Sequence, residues 1–299
     1  MKHSIALHAF AKINLSLRIL GKRPDGYHEI RTLYQTVDLH DDLEVELVLR
    51  EGGVHVECGD PAVPSGRANL VYQACQLWKH ARRFKGRIQV RLKKQIPPGS
   101  GLGGASSDAA ATLIGLERLR GNRLDLETRL KLAARLGSDV PFFFLGGRVL
   151  GCGRGEEVYP LGDLPGRHCL VAFPGFGVST AEAYRQAGLR LTKRPLASRI
   201  HVFGVWSHVP LDTWGPAEND FEQVVFAKWP ELGRVKGQLL RAGAESALLT
   251  GSGSAVYAIF DSVPKLLRAS KLIPTSWRAF RTRTLPRGEY QRRLLGSYL

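Results

Sequence analysis

Ile96-Pro97-Pro98-Gly99-Ser100-Gly101-Leu102-Gly103-Gly104-Ala105-Ser106-Ser107-Asp108 is the stretch on which the reading of the chain turns. Four glycines fall between positions 99 and 104, and the Ala-rich run Ala109-Ala110-Ala111 follows. Glycine lets a backbone turn its N–H groups to one side and lets a ligand come close. The Ala-rich sequel predicts a helix, whose first N–H groups lack partners and carry a partial positive charge. Ile88, Val90 and Leu92 predict a strand entering the loop. Ser106 or Ser107 is the expected cap of a helix that runs to about Leu119. Strand, glycine loop and helix together suit a phosphate. A plain serine-capped glycine turn is the competing reading.

The common phosphate loops fit badly. A Walker A loop needs a lysine directly after its last glycine, and here Gly104 is followed by Ala105-Ser106. Gly99-x-Gly101-x-x-Gly104 matches the dinucleotide string, but that fold wants an acid at the end of a second strand about 20 residues on. Asp125 lies near that distance and begins a predicted helix instead.

Working outward, Ile13, Leu15, Leu17 and Ile19 alternate with polar residues, so Ile5 to Leu20 reads as two short strands or one bent strand. Pro24-Asp25-Gly26 is a turn. Leu43, Val45, Leu47 and Leu49 alternate, and Val54 to Cys58 is expected to pair with them across Glu51-Gly52-Gly53. Asn69 can cap a helix from Leu70 to Phe84. Another helix spans about Leu126 to Leu136 and stops at Gly137. Asp139 follows, beside Pro141 and three consecutive Phe residues. It either caps the next helical turn or is a positioned carboxylate, and spacing alone favours the cap. Arg148 to Arg154 reads as a turn-rich passage. Leu161 to Arg167, between prolines, is the expected domain boundary. Beyond it lie a buried strand at Cys169 to Phe173, a helix carrying Tyr184, and helices from Asn219-Asp220-Phe221-Glu222 and from Leu232 to Ala242. A second glycine–serine turn, Thr250-Gly251-Ser252-Gly253-Ser254, leads into the apolar run Ala255 to Phe260. A helix from about Val263 to Leu272 and a strand near Trp277 to Arg283 complete the pattern, while Arg190 to Pro210 has no clear periodicity.

The chain has 299 residues, enough for two domains. No run reaches the roughly 18 apolar residues of a membrane span, and the first residues are too poor in apolar side chains for a signal peptide. A cytoplasmic location is therefore expected. Cys58, Cys75, Cys152 and Cys169 match no zinc spacing and read as reduced thiols. The formal net charge of +16 favours anionic partners. Basic residues concentrate between Lys79 and Lys94 and again after Asp261, with no regular aromatic interleaving to suggest a stacking platform for bases.

The loop from Pro97 to Ser107 is similar to the Pro-x-x-x-Gly-Leu-Gly-Ser/Gly-Ser/Ala-Ser-Ser loop of the galactose, homoserine, mevalonate and phosphomevalonate (GHMP) kinase superfamily. Ala11-Lys12-Ile13-Asn14-Leu15-Ser16-Leu17 resembles its N-terminal motif, and Leu249-Thr250-Gly251-Ser252-Gly253-Ser254-Ala255-Val256 its C-terminal glycine motif. Further stretches resemble the branch whose substrate is a cytidine-diphosphate-linked methylerythritol. They are Arg23 to Ile30, Gln35 to Leu39, Asn69 to Val71, Gly137 to Phe143, Gly177 to Ala181 and Asn219 to Glu222. Ala105 stands where many members have a third glycine, a small-for-small change, and Arg190 to Trp214 matches least.

The resemblance implies a two-domain α+β fold. An N-terminal domain like the second domain of ribosomal S5 protein would span 1–163, a ferredoxin-like C-terminal domain 164–299, and the active site would lie in the cleft between them. It implies transfer of the ATP γ-phosphoryl group to the 2-hydroxyl of that substrate, with Mg²⁺ carried as Mg-ATP and no dedicated protein cage. Lys12 and Asp139 match the catalytic pair. Asn69, Leu70 and Lys94 match positions near adenine, and Pro97, Gly99, Ser100, Gly101, Leu102, Gly103, Gly104, Ala105, Ser106 and Ser107 match the triphosphate loop. Asn14, Tyr27, His28, Asp139 and Tyr184 match the substrate side, with aromatic faces for the cytosine. A monomer or weak homodimer without membrane or nucleic-acid partners is expected. The alternatives are a GHMP kinase for another small alcohol and a basic nucleic-acid-binding module with a vestigial loop.

Overall fold

The computed structural model describes residues 2–121, 123–191 and 217–295. Two sheets organise it. The first contains β1 (Lys2–Lys22), β2 (His28–Glu51), β3 (Val54–Cys58), β4 (Gly86–Lys93), β5 (Arg148–Cys152) and β6 (Glu157–Pro160). β2 is its spine. It pairs antiparallel with β1 along nearly its whole length. On its other edge its first half meets β5 and its second half meets β4. Of the two readings of the alternating residues, one bent strand is what forms: β1, whose bend is taken up by register shifts at Phe10/Ala11, Asn14/Ser16 and Ile19/Gly21.

The expected hairpin of β3 with β2 does not form. β4 lies between them, and β3 pairs with β4 in parallel. Ile88, Val90 and Leu92 give β4 a fully buried row, so it takes the central place. β3 buries its alternate residues only partly and goes to the edge, reached through α1 (Leu70–Ala81) as a β-α-β crossover. The Lys79 ammonium pins this arrangement by donating to the Gly52 and Gly86 carbonyls. α1 ends before Phe84 because Arg83 turns into the left-handed region at φ 48°.

α2 (Gly104–Arg120) lies against β1 and β2, with α1 and α3 (Leu126–Leu136) beside it. Ser107 to Thr112 are all buried, as a helix covered on every side requires. Neither Ser106 nor Ser107 caps α2. Gly103, left-handed at φ 74°, occupies the cap position with no side-chain bond, and the Ser107 hydroxyl instead donates to the Phe10 carbonyl at 2.7 Å. The short helix α4 (Phe142–Leu145) begins after Pro141 without a side-chain cap, so Asp139 is not a cap either. The glycine-rich passage from Arg148 folds as the strand β5, because Val149 and Arg148 are buried against β2.

The second sheet has strand order β10-β7-β9-β8, all antiparallel, from β7 (His168–Phe173), β8 (Ser246–Leu249), β9 (Val256–Phe260) and β10 (Arg278–Arg283). Helices separate β7 from β8 and β9 from β10, among them α5 (Thr180–Leu191) and the helices Glu222–Lys228, Pro230–Arg241 and Val263–Ser270. This β-α-β-β-α-β run is the ferredoxin-like arrangement. The chain passes from one sheet to the other between Pro160 and His168. A last helix, Arg287–Leu294, was not visible in the apolar pattern. It returns to the first sheet, where Tyr290 is buried against Phe10 and donates to the Phe143 carbonyl. Arg283 and Arg293 there face Asp38, so part of the basic C-terminal stretch serves as internal ion pairs. Residues 192–210 of the stretch without periodicity, and the continuation to Trp214 of the stretch that matches least, lie outside the described residues.

Candidate active site

A cleft of about 830 Å³ opens where the two sheets meet, with the glycine loop as one wall. Gly99, Gly101 and Gly103 are all left-handed, at φ 68°, 82° and 74°. Two of them are required by contact as well. A Cβ on Gly101 would lie 2.0 Å from the Thr250 carbonyl oxygen, because the second glycine–serine turn packs backbone to backbone on the first. A Cβ on Gly103 would press on Lys12 Cγ and Phe143 at 3.0 Å. Gly104, Ala105 and Ser106 line the cleft, and since no side chain caps α2, their first-turn N–H groups are left for a ligand anion.

The N-terminal motif meets this loop directly. The Lys12 amide donates to the Leu102 carbonyl at 2.9 Å, and the Lys12 side chain, 3% exposed, runs beneath the loop. Its Nζ donates to Asn14 Oδ1 at 2.7 Å and lies 3.5 Å from Asp139 Oδ2. Burial lowers the Lys12 pKa, and Asp139 offsets only part of that. The Tyr34 hydroxyl donates to Asp139 Oδ1 at 2.9 Å. Burial and the neighbouring carboxylate push the Tyr34 hydroxyl well above the usual tyrosine range, so it keeps its proton as a donor.

Asn14 ties the N-terminal motif to the C-terminal glycine motif. Its Oδ1 accepts from Lys12 Nζ and from the Gly251 amide at 2.8 Å, and its Nδ2 donates to Thr32 Oγ1 at 2.7 Å. Asn219 holds the far side of the same turn, donating to the Leu249 and Gly251 carbonyls at 2.8 Å. A buried side chain with both amide ends satisfied fixes its neighbours, because moving any of them strands a polar group.

At one end of the cleft Asn69, Leu70 and Lys94 join Val63, Pro64 and Ile96 in a largely apolar wall. The Asn69 amide is committed locally, accepting from the Val71 amide and donating to the Pro64 carbonyl. Lys94 is buried between Asp41 and Asp108 and donates to both. Asp41 also accepts from the Gln95 and Ile96 amides, which sets the entry to the glycine loop. Burial pushes the Asp108 carboxyl up to about 8, because one lysine faces two carboxylates there.

At the other end His28 stacks on Tyr184, ring centres 5.0 Å apart and 14° from parallel, and Tyr184 meets Phe221 edge-on. Tyr27 is 55% exposed, with the Arg154 guanidinium 4.7 Å above its ring. Burial, then the charge of Lys22, lowers the His28 pKa and favours a neutral ring.

The cleft thus collects Lys12, Asn14, Tyr27, His28, Asn69, Leu70, Lys94, Pro97, Gly99, Ser100, Gly101, Gly103, Gly104, Ala105, Ser106, Asp139 and Tyr184. Leu102 and Ser107 do not line it. Leu102 is buried with Ile13 and Val171, and Ser107 bonds back to β1. Tyr34, Asp108 and Arg154 line it without having been singled out from the sequence. Tyr34 had a signal: it stands opposite Asn14 in the hairpin that turns at Pro24-Asp25-Gly26. Arg154 lies in a turn and had none.

Two family models match the chain, the GHMP kinases N terminal domain over residues 69–147 and the GHMP kinases C terminal over 211–271. The 4-diphosphocytidyl-2-C-methyl-D-erythritol kinase of Solibacter usitatus is 45% identical over 89% of this chain and 84% of its own length. The chain belongs to the 4-diphosphocytidyl-2-C-methyl-D-erythritol kinase family. A crystal structure of a 4-(cytidine 5'-diphospho)-2C-methyl-D-erythritol kinase superposes with a TM-score of 0.74 at 34% identity, covering 95% of this chain and 99% of that one. A homoserine kinase from Cytophaga hutchinsonii reaches the same TM-score at 21% identity, covering 96% of each chain. That likeness concerns the fold alone. Membership in the 4-diphosphocytidyl-2-C-methyl-D-erythritol kinase family therefore rests on sequence within a shared two-domain α+β shape.

Proposed function

We propose that this chain phosphorylates the 2-hydroxyl of 4-diphosphocytidyl-2-C-methyl-D-erythritol with ATP. The observation that carries the reading is the Lys12–Asp139 pair, 3.5 Å apart in a cleft between an uncapped helix start and an aromatic cluster. Family membership supplies the substrate class. Phosphoryl transfer asks mainly for positioning and charge stabilisation, and the cleft has groups for both.

In this reading the triphosphate lies against the N–H groups from Gly99 to Ser106, with adenine towards Asn69, Leu70 and Lys94. Asp139 accepts the proton of the attacking hydroxyl as the bond from oxygen to the γ-phosphorus forms and the bond to the bridging oxygen of ADP breaks. Tyr34 holds one Asp139 oxygen, leaving the other beside Lys12. Lys12 compensates the negative charge that builds on the attacking oxygen. Asn14 keeps Lys12 aligned.

Both cleft carboxylates already face cations or donors: Asp139 meets Lys12 and Tyr34, and Asp108 meets Lys94. That donor set fits an Mg²⁺ that arrives on the nucleotide, held by phosphate oxygens with Ser106 and Asp139 nearby, better than a protein cage. When bound, the ion neutralises triphosphate charge. At the far end the cytosine stacks within the His28, Tyr27 and Tyr184 cluster, and Arg154 and Lys22 lie near enough to that cluster to meet a diphosphate. A base inserted between His28 and Tyr184 needs roughly 7 Å, so the pair must part from its 5.0 Å contact. A cytoplasmic, small-molecule enzyme without nucleic-acid partners is consistent with this reading.

The test is ADP release with the cytidyl substrate beside homoserine and mevalonate as acceptors. The cytidyl compound should be the one turned over. Turnover of another alcohol with none of this one would replace the substrate assignment while leaving the kinase.

A further inference from the structure

On the first sheet, outside the cleft, two cross-strand pairs separated by the Ala9–Asp41 pair put His8 opposite Asp42 and Phe10 opposite His40. The side chains of His8, His40 and Asp42 converge there. His8 Nδ1 is 2.9 Å from Asp42 Oδ1, His40 Nε2 is 3.6 Å from the same oxygen, and all three ligand atoms lie within 4.8 Å of one another. The chemistry proposed above uses none of these residues.

We propose that His8, His40 and Asp42 form a binding site for one divalent transition-metal ion, with Zn²⁺ as the fitting probe. Two imidazoles and a carboxylate are a borderline donor set suited to Zn²⁺ rather than to Mg²⁺. Ligand bonds of 2.0–2.2 Å in a tetrahedral site give edges of about 3.3–3.6 Å. The 3.6 Å separation matches such an edge, the 2.9 Å one is shorter, and the two histidine nitrogens lie within 4.8 Å, so side-chain rotations that even out these distances complete three corners and leave a fourth for water.

The surrounding groups favour the same reading. Gln95 Nε2 donates to Asp42 Oδ2 at 3.2 Å, which orients the carboxylate and leaves Oδ1 towards the histidines. His40 Nδ1 and Asp38 Oδ1 are both buried without a hydrogen-bond partner, and they face each other at 4.0 Å. A metal on His40 Nε2 fixes the proton on Nδ1, and closing the 4.0 Å gap then makes these two atoms partners, the carboxylate–histidine–metal relation of many metal sites. The Arg293 guanidinium, whose charge reaches His40, is already paired with Asp38 and Glu289. The cluster is partly exposed, and Asp42 also borders a surface groove with Ser4 and Glu44, which gives an ion access.

The experiment is calorimetric titration of chelator-treated, tag-free protein with ZnCl₂, alongside visible spectra with Co²⁺. One ion per chain is expected. His8→Gln and His40→Gln should each weaken affinity by about tenfold or more. Asp38→Asn should weaken it by about tenfold while the other ligands remain. Thermal unfolding of each metal-free variant tells lost ligation from lost fold: Zn²⁺ should raise the midpoint of the parent and not of the His8→Gln/His40→Gln double variant. Absence of binding at micromolar Zn²⁺ would overturn the proposal. Unchanged affinity in the double variant, or a cobalt–thiolate band pointing to Cys58 or Cys152, would overturn it as well.

Discussion

Lys12 Nζ lies 3.5 Å from Asp139 Oδ2, with the lysine buried and the carboxylate about a third exposed. The pair joins the first strand of the chain to the segment after α3, and it sits directly beneath the glycine loop. Burial holds the Lys12 pKa below that of an ordinary lysine, so Lys12 loses its proton at a lower pH than a free lysine does. The pH profile of kcat/KM should therefore turn down on its alkaline side below 10.5. Lys12→Arg keeps its charge throughout, and that downturn should disappear even as the rate falls. A parent profile that stays flat to pH 10.5 would remove Lys12 from the chemistry.

Tyr34 should act through Asp139 rather than on the substrate. Tyr34→Phe removes one donor from a carboxylate oxygen. Stability should fall by about 1 kcal/mol, and kcat should fall by more than KM rises. Steady-state kinetics with a denaturant titration separates the two effects.

Gly101→Ala tests the meeting of the two glycine turns. The added Cβ would sit 2.0 Å from the Thr250 oxygen, on a backbone at φ 82°. Left-handed strain together with displacement of Thr250 should cost about 3 kcal/mol, read from the urea midpoint, and should raise the KM for ATP. Gly53→Ala, with open space around its Cβ and no left-handed φ, is the control.

The Lys94, Asp41 and Asp108 cluster gives a pH dependence of stability. The folded-state pKa of Asp108 is raised from 3.8 to about 8, so the folded protein holds this proton more tightly than the unfolded chain. Its contribution is present below about pH 4 and is lost as pH rises towards about 8. Asp108→Asn should flatten that part of the stability curve, measured as unfolding midpoints from pH 5 to 8. An unchanged slope would assign it to other groups.

Much of this arrangement was legible in the sequence because it rests on local signals. The glycine loop, the Asn69 cap, the Gly137 stop and the buried rows of β4 and β9 each have a pattern within a few residues. The failures are where a distant partner decides. Val54 to Cys58 resembles the second arm of a hairpin until β4, 30 residues later, takes the better-buried place. Asp139 looks like a cap until Tyr34 and Lys12 arrive from the β1–β2 pair. Ser107 looks like a cap until Phe10 offers a carbonyl. The helix carrying Tyr290 has too many arginines for an apolar stripe, and its ion partners, Asp38 and Glu289, lie partly on another element.

Tyr184 and His28 define the end of the cleft assigned to the base. Tyr184→Ala should raise the KM for the cytidyl substrate by about tenfold, the loss of one aromatic stacking contact, and leave the KM for ATP unchanged. A change confined to ATP would reverse the orientation of the two substrates.

The most direct measurement is ADP release from the parent and from Asp139→Asn, with 4-diphosphocytidyl-2-C-methyl-D-erythritol and Mg-ATP and with the product's phosphate position read by phosphorus NMR. The product should carry its new phosphate on the 2-hydroxyl, and the variant should lose about 10²–10⁴-fold in kcat, the range for removing a general base. Near-parental turnover by Asp139→Asn, or a phosphate on another oxygen, would contradict the proposed reaction.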